Sequence, residues 1–255
     1  MVEIKTESEL AVMREAGRVV AKTLEAVKEA AAIGVSLREL DEVAVQFISD
    51  AGAKPSFLGY QPRSAPTPYP GVLCTSVNDV VVHGIPTAYR IQDGDLVSID
   101  CGAIVDGWNG DAAISFVVGD ADPADLALIE ATERALAAGI AAAQPGAKLG
   151  DISYAIGAAG RASGFGMVED HGGHGIGRAM HEDPHLPNEG RAGRGMRLKP
   201  GLALAIEPML VAGGTDAYRY AEDGWSILTL DGSRAAHVEH TIAITEDGPR
   251  VLTVR

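Results

Sequence analysis

Cysteine is nearly absent: Cys74 and Cys101 are the only two in 255 residues, and they lack C-x-x-C spacing. Two such thiols build no disulfide framework, and they suit a reducing compartment as buried small apolar side chains. Long apolar runs are also missing. No stretch reaches about 18 apolar residues, and the N-terminal MVEIKTESELAVMREAG carries charge throughout with no apolar signal core. Both a membrane-spanning helix and a secretory signal are excluded on this reading, which makes the expected location cytoplasmic. Basic charge is scarce: 21 Lys and Arg against 35 Asp and Glu leave a formal charge of -14. Duplex binding relies on Lys and Arg neutralising phosphates, so a direct nucleic-acid function is not expected. A ribosome contact would need a local basic patch, and none is evident.

What is present is 46% hydrophobic residues, enough for one large domain or two fused halves. Thr6 with Glu9 and Ser36 with Glu39 are two capping-box spacings, each opening an apolar-periodic stretch, roughly 7 to 32 and 37 to 51. After the turn-rich KPSFLGYQPRSAPTPYPG come TSVNDVVVHGI, DLVSIDCGAIV and AAISFVVG, which read as strands. Asp122, Pro123 and Asp125 then announce another helix. This second helical region repeats the first at an offset of 112, pairing Gly34 with Gly146, Leu37 with Leu149, Leu40 with Ile152 and Gly52 with Gly164. The expectation is a duplicated helix-helix-sheet unit, with strands returning at LALAIEPML, WSILTL and AHVEHTIAIT. Helices grouped apart from hairpins indicate an α+β fold.

In SIDCGAIVDGWNGDAAISF, Asp106-Gly107 between apolar strands predicts a two-residue type I′ turn. Closing it there pairs Val105 with Trp108, sets Asp111 opposite Gly102 and Asp100 opposite Ala113, and puts both aspartates on one face as diagonal neighbours. Two carboxylates on one face of apolar strands repel and lose hydration unless a cation compensates. Glu207 in LALAIEPML and Glu239 in AHVEHTIAIT repeat the oddity, as acids inside strand-like apolar text.

The segment HGGHGIGRAMHEDPH contains HEDPH, a formal match to the H-E-x-x-H helix of zinc peptidases. Pro184 pushes Asp183 away from helical angles and lacks an N–H, so a helix over 181 to 185 is disfavoured and the match reads as false. GGHGIG likewise lacks the G-x-G-x-x-G order of a dinucleotide loop. What remains is a glycine-rich segment presenting His174, then His181 seven positions later.

These stretches, with NDVVVHGIP, SIDCGAIVDGWNGDAA, GGHGIGRAMHEDP, AIEPM and VEHTI in order, resemble the type I methionine aminopeptidases of the M24 metallopeptidases along essentially the whole chain. The resemblance implies a pita-bread fold in one catalytic domain, 1–255, with pseudo-repeats over about 6–120 and 121–250. It implies Asp100, Asp111, His174, Glu207 and Glu239 as ligands of two divalent ions (Co, Mn, Fe or Zn), since one imidazole among oxygen donors suits such ions. It implies removal of the N-terminal methionine of nascent peptides by a metal-bridging hydroxide. His181 would face the scissile carbonyl oxygen, His83 the leaving nitrogen, and Glu207 would transfer a proton. The methionine pocket falls to Phe57, Tyr60, Tyr69, Cys74 and Trp225. Phe57 and Met180 depart from the residues usual there, and QPRSAPTP lengthens the loop before Tyr69. His171 and His185 receive no role. Only 26 positions separate His181 from Glu207, too few for the type II helical insertion. A monomer with at most transient ribosome contact is expected. Two rivals remain: an Xaa-Pro aminopeptidase or prolidase of the same fold, though 255 residues leave no space for their usual further domain, and a non-catalytic binding protein that keeps the fold.

Overall fold

The computed structural model describes residues 2–63 and 65–255. The first half of the chain forms α1 (Glu7–Ala30), α2 (Leu37–Asp50), β1 (Lys54–Pro55), β2 (Leu73–Val77), β3 (Val80–Val82), β4 (Asp95–Val105) and β5 (Trp108–Val118). The second forms α3 (Pro123–Ala142), α4 (Leu149–Ala162), β6 (Gly166–Met167), β7 (Gly172–Gly175), β8 (Glu182–Pro187) and β9 (Ala203–Ile206). It continues through β10 (Met209–Val211), β11 (Tyr218–Tyr220), β12 (Ile227–Thr229), β13 (Ala235–His237), β14 (Glu239–Thr245) and β15 (Gly248–Val251).

Local chemistry sets the helix starts. Both predicted capping boxes form: Thr6 and Ser36 accept from the backbone of Glu9 and Glu39, whose carboxylates reach back to the cap N–H groups. Asp122 caps α3 with Pro123 in its first turn, where a missing N–H costs nothing. The duplication is visible in the backbone. Helix α2 runs 37–50 and α4 runs 149–162, both shifted by 112. At the same offset Gly34 and Gly146 adopt φ of 87° and 88°, left-handed values that ordinary residues disfavour. The isolated bridges Ser36–Arg90 and Lys148–Arg197 begin at equivalent positions too.

Nine strands form one curved antiparallel sheet in the order β1-β4-β5-β14-β9-β7-β8, with β2 paired to β4 and β15 to β14. The arrangement is the pita-bread fold, α+β with two related halves. One face is apolar and covered by helices. Val97, Ile99, Cys101, Ala103 and Ala112 pack with Val20, Leu24, Leu40 and Ile48 of α1 and α2, while Leu204, Ile206, Ile242 and Ile244 pack with Leu128, Ile152 and Ile156 of α3 and α4. Because side chains alternate, every second residue of the same strands faces the other way, and the acids lie on that other face.

Candidate metal centre

The β4–β5 hairpin turns at Asp106-Gly107, with φ of 47° and 80° as a type I′ turn needs, and pairs Val105 with Trp108, Gly102 with Asp111 and Asp100 with Ala113. On the next strand Glu239 pairs with Ala113, and on the far side Cys74 pairs with Asp100. Cys74, Asp100, Ala113 and Glu239 thus form one row across four adjacent strands, and Asp111 lies two residues from Ala113 on the same face. Ala113 carries only a methyl where a larger side chain would fill the space between the acids.

From the other half, His174 pairs with Ala205 of β9, two residues before Glu207. Here the strand reading needs a correction. Glu207 and Pro208 lie between β9 and β10 rather than inside a strand, and Val238 breaks β13 from β14 just before Glu239. Pro208 has no N–H for a ladder bond, so the strand stops and the Glu207 carboxylate turns inward. The HEDPH segment forms no helix: His181 precedes β8, which runs from Glu182 to Pro187.

All twelve residues expected at the site line one cavity of about 320 Å³: Phe57, Tyr60, Tyr69, Cys74, His83, Asp100, Asp111, His174, His181, Glu207, Trp225 and Glu239. The His174 Nε2 atom lies 3.5 Å from Glu207 Oε1, and its Nδ1 is 2.9 Å from the Gly175 carbonyl. A carbonyl only accepts, so Nδ1 carries the proton and Nε2 turns a lone pair toward the carboxylates. That contact is repulsive with nothing between.

The acids show the same need. Asp100 Oδ1, Asp111 Oδ1 and Glu239 Oε1 are buried without a hydrogen-bond partner among the described residues. Burial first, then the neighbouring carboxylates, pushes Asp111 and Glu239 well above the usual carboxylate range. Burial also raises Asp100 and Glu207. Asp111, His174 and Glu239, and separately Glu207, His237 and Glu239, each place donor atoms within 4.8 Å of one another. Four carboxylates match the charge of two divalent cations, and the orphaned oxygens and the unprotonated imidazole nitrogen are what such ions bind. The residues present therefore fit a dinuclear divalent centre.

Above the acids, the aromatic residues expected to hold methionine form one apolar cluster with Cys74 and Met180. Tyr69 meets Trp225 edge-on with ring centroids 5.0 Å apart and donates its hydroxyl to the Gly84 carbonyl at 2.8 Å. His181 stands at the exposed mouth, its ring 4.2 Å from that of His174 and its Nδ1 2.8 Å from the Tyr60 hydroxyl. Desolvation by the surrounding cavity lowers His83 to about 3 and His181 to about 4, so both are neutral imidazoles at pH 7. His171 and His185 also line the cavity wall. Part of the loop before Tyr69 lies at Ser64, outside the described residues.

Sequence reading missed His237. It precedes Glu239 by two positions, and period-two alternation alone places both side chains on one face. Its Nε2 is buried without a partner, 3.6 Å from Glu207 Oε2 and 3.8 Å from Glu239 Oε2.

Fold and site together define a metal-dependent hydrolase, and the chain belongs to metallopeptidase family M24, whose profile matches residues 11–246. Within that family it groups with the type I methionine aminopeptidases. It is 53% identical to methionine aminopeptidase 1 of Mycobacterium tuberculosis over 98% of this chain and 94% of that one. A crystal structure of methionine aminopeptidase from Thermotoga maritima superposes with a TM-score of 0.95, 40% identity and full coverage of both chains. Prolidase from Pyrococcus furiosus is more distant: TM-score 0.79, 25% identity, and 99% of this chain against 65% of that one.

Proposed function

We propose that this protein removes the N-terminal methionine from nascent peptides by metal-dependent hydrolysis of the first peptide bond. The observation that carries it is the convergence of Asp100, Asp111, His174, Glu207 and Glu239 in one cavity with an apolar aromatic cluster. These five would hold two divalent ions, which when bound supply an acidified water and a Lewis acid for the carbonyl.

The chain's own groups do the rest. Phe57, Tyr60, Tyr69, Cys74 and Trp225 would grip the methionine side chain, since aromatic walls suit a thioether. In this reading the Tyr60 hydroxyl, 2.8 Å from Nδ1, donates to it, so that His181 would carry its proton on Nε2 and hold the carbonyl oxygen as charge develops. His83, neutral and on the same cavity wall, would hydrogen-bond near the leaving nitrogen. A carboxylate oxygen of Glu207 would carry the proton from water to that nitrogen.

In this reading residues 1–255 act as one catalytic domain with pseudo-repeats over about 6–120 and 121–250, working in the cytoplasm as a monomer, with at most transient ribosome contact. No described helix is long and apolar enough to cross a membrane, and both cysteines are free and buried. The test is an assay of metal-loaded protein on Met-Ala-Ser beside an Xaa-Pro peptide. Cleavage of the first alone is expected. Preference for the second would move the chain to the prolidase reading, and no turnover of either would favour a binding protein.

A further inference from the structure

The carboxylate floor has an imidazole on each side. His174 Nε2 faces Glu207 Oε1 at 3.5 Å, and His237 Nε2 faces Glu207 Oε2 at 3.6 Å and Glu239 Oε2 at 3.8 Å. Hydrogen bonds between nitrogen and oxygen run at about 2.7–3.2 Å, so none of these contacts is one. Two donors bound to the same ion at about 2.0–2.2 Å can be separated by at most about 4.0–4.4 Å. All three separations fall in the interval that a shared ion explains and a hydrogen bond does not. We propose that His237 is a sixth protein ligand, its Nε2 joining Glu207 and Glu239 on one ion while His174 serves the other.

Several features support this. His237 is 2% exposed, and its Nε2 has no hydrogen-bond partner among the described residues. A buried imidazole nitrogen left unmatched is costly unless it finds a donor or a cation. Its backbone is fixed from both directions: the N–H donates to Ser115 Oγ at 3.1 Å, and the carbonyl accepts from the same hydroxyl at 2.7 Å. Ser115 Oγ is in turn 2.7 Å from Ser98 Oγ of β4, which ties His237 to the strands that carry Asp100 and Asp111. His237 is not among the residues that line the cavity. A ligand from behind leaves the cavity side open for substrate. Glu207 then has one oxygen toward each imidazole, and because each carboxylate oxygen offers two lone pairs, it can still accept a proton. Two imidazoles in place of one also shift preference toward Zn and Co and away from Mn.

This inference rests on the dinuclear reading above, and one measurement separates the two. X-ray absorption at the zinc edge of the wild-type protein loaded with two zinc ions counts imidazole scatterers directly. One imidazole per zinc is expected, falling to one half in His237→Gln at the same loading. One half per zinc in the wild type would overturn the assignment of His237 and leave the dinuclear site intact. Failure of the wild type to bind two ions would remove both. Should His237→Gln fail to fold, the wild-type count decides alone. Equal counts in the two proteins would also overturn the inference.

Discussion

At the scale of single residues, the Tyr60 hydroxyl has a task that its place in an apolar pocket hides. It lies 2.8 Å from His181 Nδ1, which holds the ring in place. A Tyr60→Phe variant keeps the pocket wall but frees the imidazole, so kcat should fall by about tenfold, the worth of about one hydrogen bond of 1.4 kcal/mol. His181→Ala removes the donor itself and should cost about 10²–10³ in kcat. Neither residue touches the acids by a hydrogen bond, so metal analysis of both variants should match the wild type. Metal loss in step with activity would make His181 a ligand instead. The roles proposed for Asp100, Asp111, Glu207 and Glu239 were legible because a charge inside apolar strand text has few explanations. His237 was not, since a lone imidazole in an apolar strand has many. Tyr60 as a partner of His181 was illegible for a different reason: 121 positions separate them, and only folding sets their distance.

At the scale of elements, the helix caps, the hairpin turn and the repeat offset of 112 are local or periodic signals, and the structure follows them to within a residue or two. Breaks inside apolar runs read less well. Pro208 was the visible mark that β9 must end beside Glu207, yet the flanking LALAI and ML concealed it. Close approaches of elements are harder still. A Cβ added to Gly17 in α1 would sit 2.1 Å from the Leu252 carbonyl oxygen, and one added to Gly110 would sit 2.8 Å from the Gly17 nitrogen. Helix α1 therefore rests on β5 and the C-terminal segment backbone to backbone. Alanine is the better helix former by about 1 kcal/mol, but at Gly17 the clash with rigid backbone should win. Gly17→Ala is expected to lose about 1–3 kcal/mol net, read as a lower denaturant midpoint at unchanged slope.

Arg161 ties two further pieces to α4, with two hydrogen bonds to Glu189 and two to Asp216 at 2.7–2.8 Å. These bonds hold Asp216 below its usual value of 3.8. The sign follows from linkage. An acid with a depressed folded-state pKa adds stability above its unfolded value and loses it as pH falls through the folded one. Because these groups are partly exposed, Arg161→Met should cost no more than about 1 kcal/mol near neutrality. That difference from wild type should shrink in denaturation curves taken below pH 3.8. A gap that persists there would assign the loss to packing of the arginine stem.

At the scale of the whole molecule, the fold sets two helix-backed halves so that their inner faces pool negative charge at one point, in a chain already at -14. In the metal-free protein, burial raises all four acids, Asp100, Asp111, Glu207 and Glu239, and repulsion from neighbouring carboxylates adds to it at Asp100, Asp111 and Glu239. Unfolding returns them to usual values of 3.8 for aspartate and 4.5 for glutamate. Between those values and the folded ones the native state holds protons that the unfolded chain has released, and stability must then fall as pH rises. Each retained proton contributes about 1.4 kcal/mol per pH unit to that slope. Divalent ions displace the protons and bind only the folded arrangement, so they abolish the slope and add stability that grows with ion concentration. Chelator-treated protein should therefore lose unfolding midpoint steadily from about pH 5 to about pH 8, while metal-loaded protein stays level across the same range. Titrating metal into weakly buffered protein at neutral pH should also release protons. If the metal-free protein instead gained stability over that range, the acids would be ionising at ordinary values, spread apart and hydrated, and no cation would be needed to hold the two halves' charges together.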